Sequence, residues 1–496
     1  MKKLFSILLL AAMLTGMAAC GESAGSERDT LTYIALYPSD SLVPLDISLC
    51  EPNVMHAVYD GLVKFDTNGD IVPRLAESWE DSSEKTVFHL AQDATFHDGS
   101  PVTADDVIFT MDLYFNQGAY AYNFEERISS YEKNDDYTVT FYKTAPYIDL
   151  LTFSIENIWI LPQDAYESDP EGFAEHPIGS GPYTFESLDS DGTVTLKAFE
   201  DYHMGAPEVK NVIVKPPVDP STAIIALETG EADLVMDAPI SQLSLLEGNE
   251  DVTVVLDPST WSANTLMGLN DRLAADPNLR KAIYHGISRE NAIKLANEGI
   301  GEPAVDPFSR RIMGDFAGIE YGPTYDPELA REYLEKSNYD GQPITITIWQ
   351  ESYLAQSVQS DLMELGIDIE IEQVDSTAWV DMLVNGELEM TIAPLGTFSS
   401  TIESMLITMS SESASYGGNM EISPEYDELV ARIKQESDEA VRHDLIGQAL
   451  ELLYDRAVAV NLFDTPFAYV INSDFDYNNV ASAGSLSIFL GDVKLK

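Results

Sequence analysis

Hydrophobic and polar positions follow two rhythms along this chain, one of period two and one of period three to four, and they take turns almost throughout. "TLTYIALYP" (Thr30–Pro38) reads as a strand and "EPNVMHAVYDGLVKFD" as a helix running into a turn. "TVFHLAQDATFHDG" alternates before a turn, with His97, Asp98 and Gly99 at its tip. "TADDVIFTMDLYFNQ" opens with a Thr103 cap and the acidic first turn Asp105-Asp106, then carries Val107, Phe109, Met111 and Leu113 on a helix. "DDYTVTFYKT", "GTVTLKAFEDY" and "VKNVIVKPP" are further strands, the last two following the turn "PIGSGPY". Helix caps recur at "SRENAIKLANEG" and "DPELAREYLEKSNYDG". "ITITIWQ", "AQSVQSDLMELG" and "IDIEIEQVD" form a strand–helix–strand unit, which predicts a parallel crossover. One long helix is expected over Ser423–Ala457, then short strands near "VAVNLFDTPFAYVIN". No internal repeat and no low-complexity linker follows Asp29, so the pattern predicts mixed α/β lobes with the chain crossing between them.

The N-terminal end breaks this rhythm. Lys2 and Lys3 precede an apolar run from Leu4 to Met17, too short for a bilayer span of about 20 residues and shaped like a cleaved secretory leader. The run ends in "MAAC", which resembles a bacterial lipobox. That implies a leader over 1–19, acylation of Cys20, a flexible tether over 20–29 and a body held outside the cytoplasm on a lipid anchor. Only two cysteines exist in 496 residues, so an acylated Cys20 leaves Cys50 without an intrachain partner. A hydrophobic content of 45% must then supply the core of two or three domains.

Charge removes one class of function. Asp and Glu number 84 against 27 Lys and Arg, a net charge of −57, and a phosphate backbone would be repelled, so no nucleic-acid partner is expected. The same acidity fits either a solvated surface or a cleft that attracts cations.

Catalytic chemistry is not legible. There is no HExxH, CxxC, Walker loop or GxGxxG after a strand. Ser180 in "IGSGPY" lacks the flanks of a nucleophile elbow. His56, His89, His97, His176, His203, His285 and His443 are scattered, and no two form a helical ligand pair. With so many carboxylates, neighbouring acids do not indicate glycosidase chemistry. Neither an enzyme, a cofactor nor a metal site is expected, and His97 and Asp98 read as scaffold.

The run from Tyr59 to Thr110, "YDGLVKFDTNGDIVPRLAESWEDSSEKTVFHLAQDATFHDGSPVTADDVIFT", resembles the signature region of family-5 solute-binding proteins, the receptors of ABC importers for dipeptides, oligopeptides and nickel chelates. "PIGSGPYTFE", "AIIALETGEADLV", "NLRKAIYHGISRENAIK", "YDPELAREYLEKSNYDG" and "LMELGIDIEIEQVDSTAWVDMLVNGELEMTI" continue the likeness in order. In this signature Gly61 and Gly69 allow turns, and Trp79 in "LAESW" is expected to anchor a core. The resemblance implies an α/β fold of two lobes, the type II periplasmic-binding-protein fold (cluster C), with a domain inserted in the first lobe. Mapped here, lobe I takes 30–55, 172–262 and 464–496, the insert 56–171 and lobe II 263–463. A monomer is implied that closes on a peptide or small polar solute and docks on permease subunits. A nickel or metallophore chelate, another cationic solute, or a sensing lipoprotein without transport are the alternatives.

The ligand is less legible than the family. Dipeptide receptors pair the peptide amino terminus with an Asp in a stretch like "GW-x-x-D-x-x-D-P". Here "LGTFSSTIESML" puts Leu395 or Thr397 at the Trp place, Ser400 at the Asp place and Glu403 at the second acid. Glu351 falls near the Arg that holds the peptide carboxylate. Cys50 and Met55 fall where the nickel branch has pocket residues, but its His is matched by Ile402 and its Arg by Asn157 or Ile158. The expected pocket groups are Tyr120, Tyr122 and Phe124 from the insert, Trp261 and Asn264 at the crossing between lobes, and Thr397, Phe398, Ser399 and Ser400 from lobe II. Glu351 and Glu403 would face a cation.

Overall fold

The computed structural model describes residues 29–45, 50–66, 70–118, 121–236, 238–268, 271–318, 325–349, 352–394, 401–411, 422–476 and 488–496. Cys20 with its leader, Tyr120, Glu351, Thr397, Phe398, Ser399 and Ser400 lie outside the described residues.

Strand β1 (Thr30–Ile34) pairs in parallel with β2 (Asn211–Lys215) on one side and β3 (Leu234–Val235) on the other. Leu31, Tyr33 and Ile34 are buried, as in a strand covered on both faces. Antiparallel strands Val194–Ala198 and Tyr183–Leu188 extend the sheet beyond β2. The chain leaves this half through α1 (Pro52–Val58), with Pro52 in its first turn and the Glu51 carboxylate accepting from Asn53 N. Tyr33 Oη and Asn53 Nδ2 also donate to Glu51, at 3.0 and 2.6 Å. Every residue of α1 after Pro52 is buried, so it is a core helix rather than a surface one.

A separate core follows, drawn from Leu62 through Ile160 and Phe489. Four antiparallel strands, Ala76–Asp81, Lys85–Leu90, Thr138–Lys143 and Ile128–Asp135 in spatial order, form its sheet. Helices α2 (Ala104–Gln117) and α3 (Leu150–Asn157) contribute to the same core. Thr103 caps α2 in a reciprocal box with Asp106, and Val107, Met111 and Leu113 turn inward while Phe109 is half-buried. Trp79 is half-buried at the margin of this core. Trp159, Leu161 and Phe173 belong to the first core, as do Val54, Met55, Ala57 and Val58 of α1 and Leu113 of α2, so the two cores meet along these residues.

The second half contains the crossover. β5 (Ile344–Ile348), α4 (Tyr353–Leu365) and β6 (Ile369–Gln373) follow in order, with Ile344 opposite Ile369 in parallel register. β7 (Met390–Pro394) lies on the other side of β5. Beyond α5 (Ile402–Thr408), the single helix expected over Ser423–Ala457 is two, α6 (Pro424–Ile433) and α7 (Glu439–Arg456). The polar "QESD" between them has no apolar residue to bury, and Asp438 instead caps α7, accepting from Ala440 N and Val441 N at 3.0 and 3.1 Å. The break lets both helices place Leu429, Ile433, Leu445 and Leu453 in one core.

Two long strands join the halves. β4 (Val252–Gly268) has 17 residues and β8 (Ala459–Asn472) has 14, the latter a continuous strand where short ones were expected. They pair antiparallel from end to end, and β8 also pairs β3 while β4 pairs β7, so one eleven-stranded sheet runs through both halves. The ladder is interrupted between Asp257 opposite Phe467 and Ser262 opposite Thr465, and it shifts register again, more narrowly, between Ala263 opposite Asp464 and Thr265 opposite Asn461. At the wider interruption residues 258–261 stand against Pro466 alone. Pro258 and Pro466 have no N–H to give, which is why the ladder fails at this point. The first half's core includes Tyr469 and Ile471 of β8, and the second half's cores include Val460 and Leu462.

Candidate functional site

The pair that looks most catalytic, His97 and Asp98, has its polar atoms bonded within the fold. Gly99 (φ 84°) turns the chain, and Asp98 Oδ1 accepts from Ser100 N and Oγ at 2.9 and 2.6 Å. His97 Nδ1 accepts from Gly179 N at 3.2 Å, and its Nε2–H donates to the Gly181 carbonyl at 3.0 Å. Burial pushes the His97 pKa down, so the ring is neutral.

A second polar cluster is centred on a buried carboxylate. Asp60 is fully buried against the Arg74 Nε, accepts from Tyr202 Oη at 3.0 Å and takes the His203 Nε2–H at 3.1 Å. Burial works to raise its pKa, but Arg74 and His203 hold it below the usual carboxylate range. Arg74 Nη2 donates to the His56 carbonyl at 2.6 Å, and Trp159 Nε1 to His56 Nδ1 at 3.2 Å. These groups bind the insert to the first half.

Two cavities then compete. The larger, about 390 Å³, is lined by Lys64, Arg74, Tyr202, Phe489 and Asp492, all from the insert and the first half. Lys64 Nζ bridges it to Asp492 at 2.7 Å. Motion about the β4–β8 break would leave such a cavity unchanged. The smaller, about 150 Å³, has Arg127, Tyr147, Asp149 and Phe153 of the insert on one wall and Thr401, Ser404 and Thr408 of the second half on the other. It spans the break, so opening the halves would open it.

On the insert wall, the Arg127 guanidinium lies over the Phe153 ring, 4.9 Å from its centroid. Its Nη1 donates to the Asn123 carbonyl at 2.9 Å and to Asn123 Oδ1. Burial lowers its pKa against the opposing pull of Glu126 and Tyr147. Burial raises the Tyr147 pKa, and Glu403 adds to that rise from across the cleft. The far wall is the start of α5. Thr401 caps it, its Oγ1 accepting from Ser404 N at 3.2 Å while Ser404 Oγ accepts from Thr401 N at 2.9 Å.

The sequence-predicted residues are distributed as follows. Cys50 and Met55 are buried in the first core, and the Cys50 Sγ–H donates to the Val43 carbonyl at 3.5 Å. Tyr122 is 57% exposed, while Phe124 is buried and stacked on Tyr114 at 4.6 Å. Trp261 is on β4 at the break and Asn264 pairs with Pro394 just beyond it, though their side chains lie outside the described ones. Glu403, expected to face a cation, accepts from Arg442 Nε at 3.3 Å within its own half. Arg127, Tyr147 and Thr408 were not singled out from the sequence. The available signal was that Arg127, in "NFEERISSY", is a rare cation in an acid-rich run. Among the described residues no three His, Cys, Asp or Glu side chains gather as a metal site, and no helix is long and apolar enough to cross a membrane.

Comparison with known proteins identifies the family and the fold. Residues 70–417 match the sequence model of bacterial extracellular solute-binding proteins, family 5 Middle. The chain is 28% identical over 360 residues to a glutathione-binding protein of Pectobacterium atrosepticum, covering 70% of this chain and 68% of that one. It is 24% identical over 524 residues to a di/tripeptide-binding protein of Pseudomonas aeruginosa, covering 96% and 95%. Among solved structures, NikA from Brucella suis in complex with Fe(III)-EDTA superposes with a TM-score of 0.81 at 21% identity, over 94% of this chain and all of that one. DppA from Helicobacter pylori with the peptide STSA gives 0.72 at 25% identity, over 94% and 98%.

Proposed function

The chain belongs to the bacterial extracellular solute-binding proteins of family 5 and has their two-lobed fold, and from that premise we propose that it is the receptor of an ABC importer for short peptides or similar small polar solutes. The solute enters between the insert and the second lobe, the lobes close about the β4–β8 break, and the closed form is presented to a permease. The observation that carries this reading is the cleft itself, whose walls come from opposite sides of the wider interruption in the β4–β8 ladder. A solute touching both walls stabilises the closed form by its differential affinity for it. The relatives named for glutathione and for di- and tripeptides support a peptide as the solute. Tyr122, Trp261, Asn264 and residues 397–400, which immediately precede Thr401 in the chain, are the proposed further contacts. Acylation of Cys20 would hold the receptor at the membrane surface, near its permease.

Native mass spectrometry of the purified protein, followed by thermal melting with whatever co-purifies, tests the reading. A peptide-sized passenger is expected, and saturation at about 100 Kd should add about 2.7 kcal/mol of stability. Nickel with histidine is the rival ligand in the same assay. Hydrolysis of the passenger, or no melting shift with any peptide, would overturn the proposal.

A further inference from the structure

The cleft has one cation on its walls among the described residues, and that cation is held in a particular way. Arg127 is fixed at one end, where Nη1 donates to both oxygens of Asn123, and on one face, where Phe153 lies against the guanidinium plane. Its remaining edge, Nε and Nη2, makes no hydrogen bond to any described residue. The side chain keeps 26% of its surface open. A guanidinium presents two parallel N–H donors along that edge, matched in spacing to the two oxygens of a carboxylate.

We propose that Arg127 is the carboxylate-reading group of this receptor, and that its solute carries an anionic terminus docked on the Nε/Nη2 edge. This rests on the receptor reading above and adds the charge of the ligand to it.

The neighbouring acids do not fill that role. Glu126 Oε2 approaches Nη1, the anchored end, at 3.7 Å, and it is 70% exposed, so water screens the pair. Asp149 caps α3, accepting from Thr152 N at 3.1 Å. Behind the opposite wall, on the same first turn of α5, Glu403 is tied to Arg442. The hydroxyls of Ser404 and Thr408 donate to carbonyls of their own helical turns, at 2.8 and 2.9 Å. Among the described residues the second lobe thus lines this corner with neither a free acid nor a competing cation. The chain's net charge of −57 opposes an anion at long range. Salt screens that field beyond about 8 Å, whereas a fixed guanidinium acts at contact distance.

The test uses two pools of di- to pentapeptides built without Asp or Glu, one with free carboxyl termini and one as C-terminal amides, with retention read by native mass spectrometry. The wild-type protein should retain the acid pool at least tenfold better than the amide pool. Arg127→Met should erase that preference, and Arg127→Lys, which keeps the charge but loses the fork, should fall between. Thermal melting verifies that each variant is folded, and the wild-type comparison stands without either variant. Equal retention of both pools by the wild type, or an undiminished acid preference in Arg127→Met, would overturn the carboxylate site while leaving the receptor intact. Retention of neither pool would remove the peptide reading and this inference together.

Discussion

The imidazole of His97 is clasped by the backbone at Gly179, whose N–H donates to Nδ1 at 3.2 Å, while the carbonyl two residues on accepts from Nε2–H at 3.0 Å. The His97 N–H also donates to the Gly179 carbonyl, at 2.8 Å. This contact ties the tip of an insert hairpin to the chain segment that re-enters the first lobe, and it requires a neutral ring.

Acid should therefore loosen it. Burial lowers the folded pKa of His97 below that of the unfolded chain, so its contribution to stability is complete above about pH 6.5 and declines as pH falls toward the folded value. Several buried carboxylates, Glu51 and Asp464 among them, are pushed up by burial and act in the opposite sense. The readout is thus a difference. Between pH 7 and pH 5 the melting temperature of wild type should fall further than that of His97→Gln, and parallel slopes would contradict the assignment.

The glycine that clasps His97 is also required by its own neighbours. A Cβ on Gly179 would lie 1.9 Å from the Val58 carbonyl oxygen, and one on Gly181 2.5 Å from that of Ala57. Both obstacles are backbone at the end of α1, which cannot rotate away. Gly179→Ala should cost about 3 kcal/mol or more in urea unfolding. A loss below 1 kcal/mol would mean that the two segments are not packed this closely.

Asp60 and Arg74 make a third case. Removing one partner leaves the other charge buried, so Asp60→Asn or Arg74→Met should cost about 3–5 kcal/mol. The double variant Asp60→Asn/Arg74→Met should cost less than the two singles combined, because it leaves no unpaired charge. Simple additivity in urea titrations would show that the two groups are not coupled.

Much of the fold is legible in the sequence because its determinants are local. The period-two runs became β1, β2 and the insert's strands, and "TADDV" became a helix with a reciprocal cap, since a Thr followed three residues later by an acid satisfies its own backbone. The β5–α4–β6 crossover follows from its short, fully patterned pieces. The family, too, is carried by ordered local motifs between residues 70 and 417.

Other features depend on neighbours far away in the chain. The run Ser423–Ala457 has the composition of one helix, and its break is decided by the shared core that both halves fill. β8 is continuous because β4 lies beside it, and the wider interruption of their ladder falls where Pro258 stands in the facing strand. Glu403 reads as a free acid until Arg442, on another helix, is brought to it. Arg127 carries no motif, and it comes to line the cleft, as its one cation among the described residues, only when folding sets Phe153 against its face and Thr401 and Thr408 opposite. Local chemistry determined which segments form strands and helices and to which family they belong. Where a charge is left unspent was decided by packing, because a side chain's partners are fixed by contacts between segments that no short stretch of sequence contains.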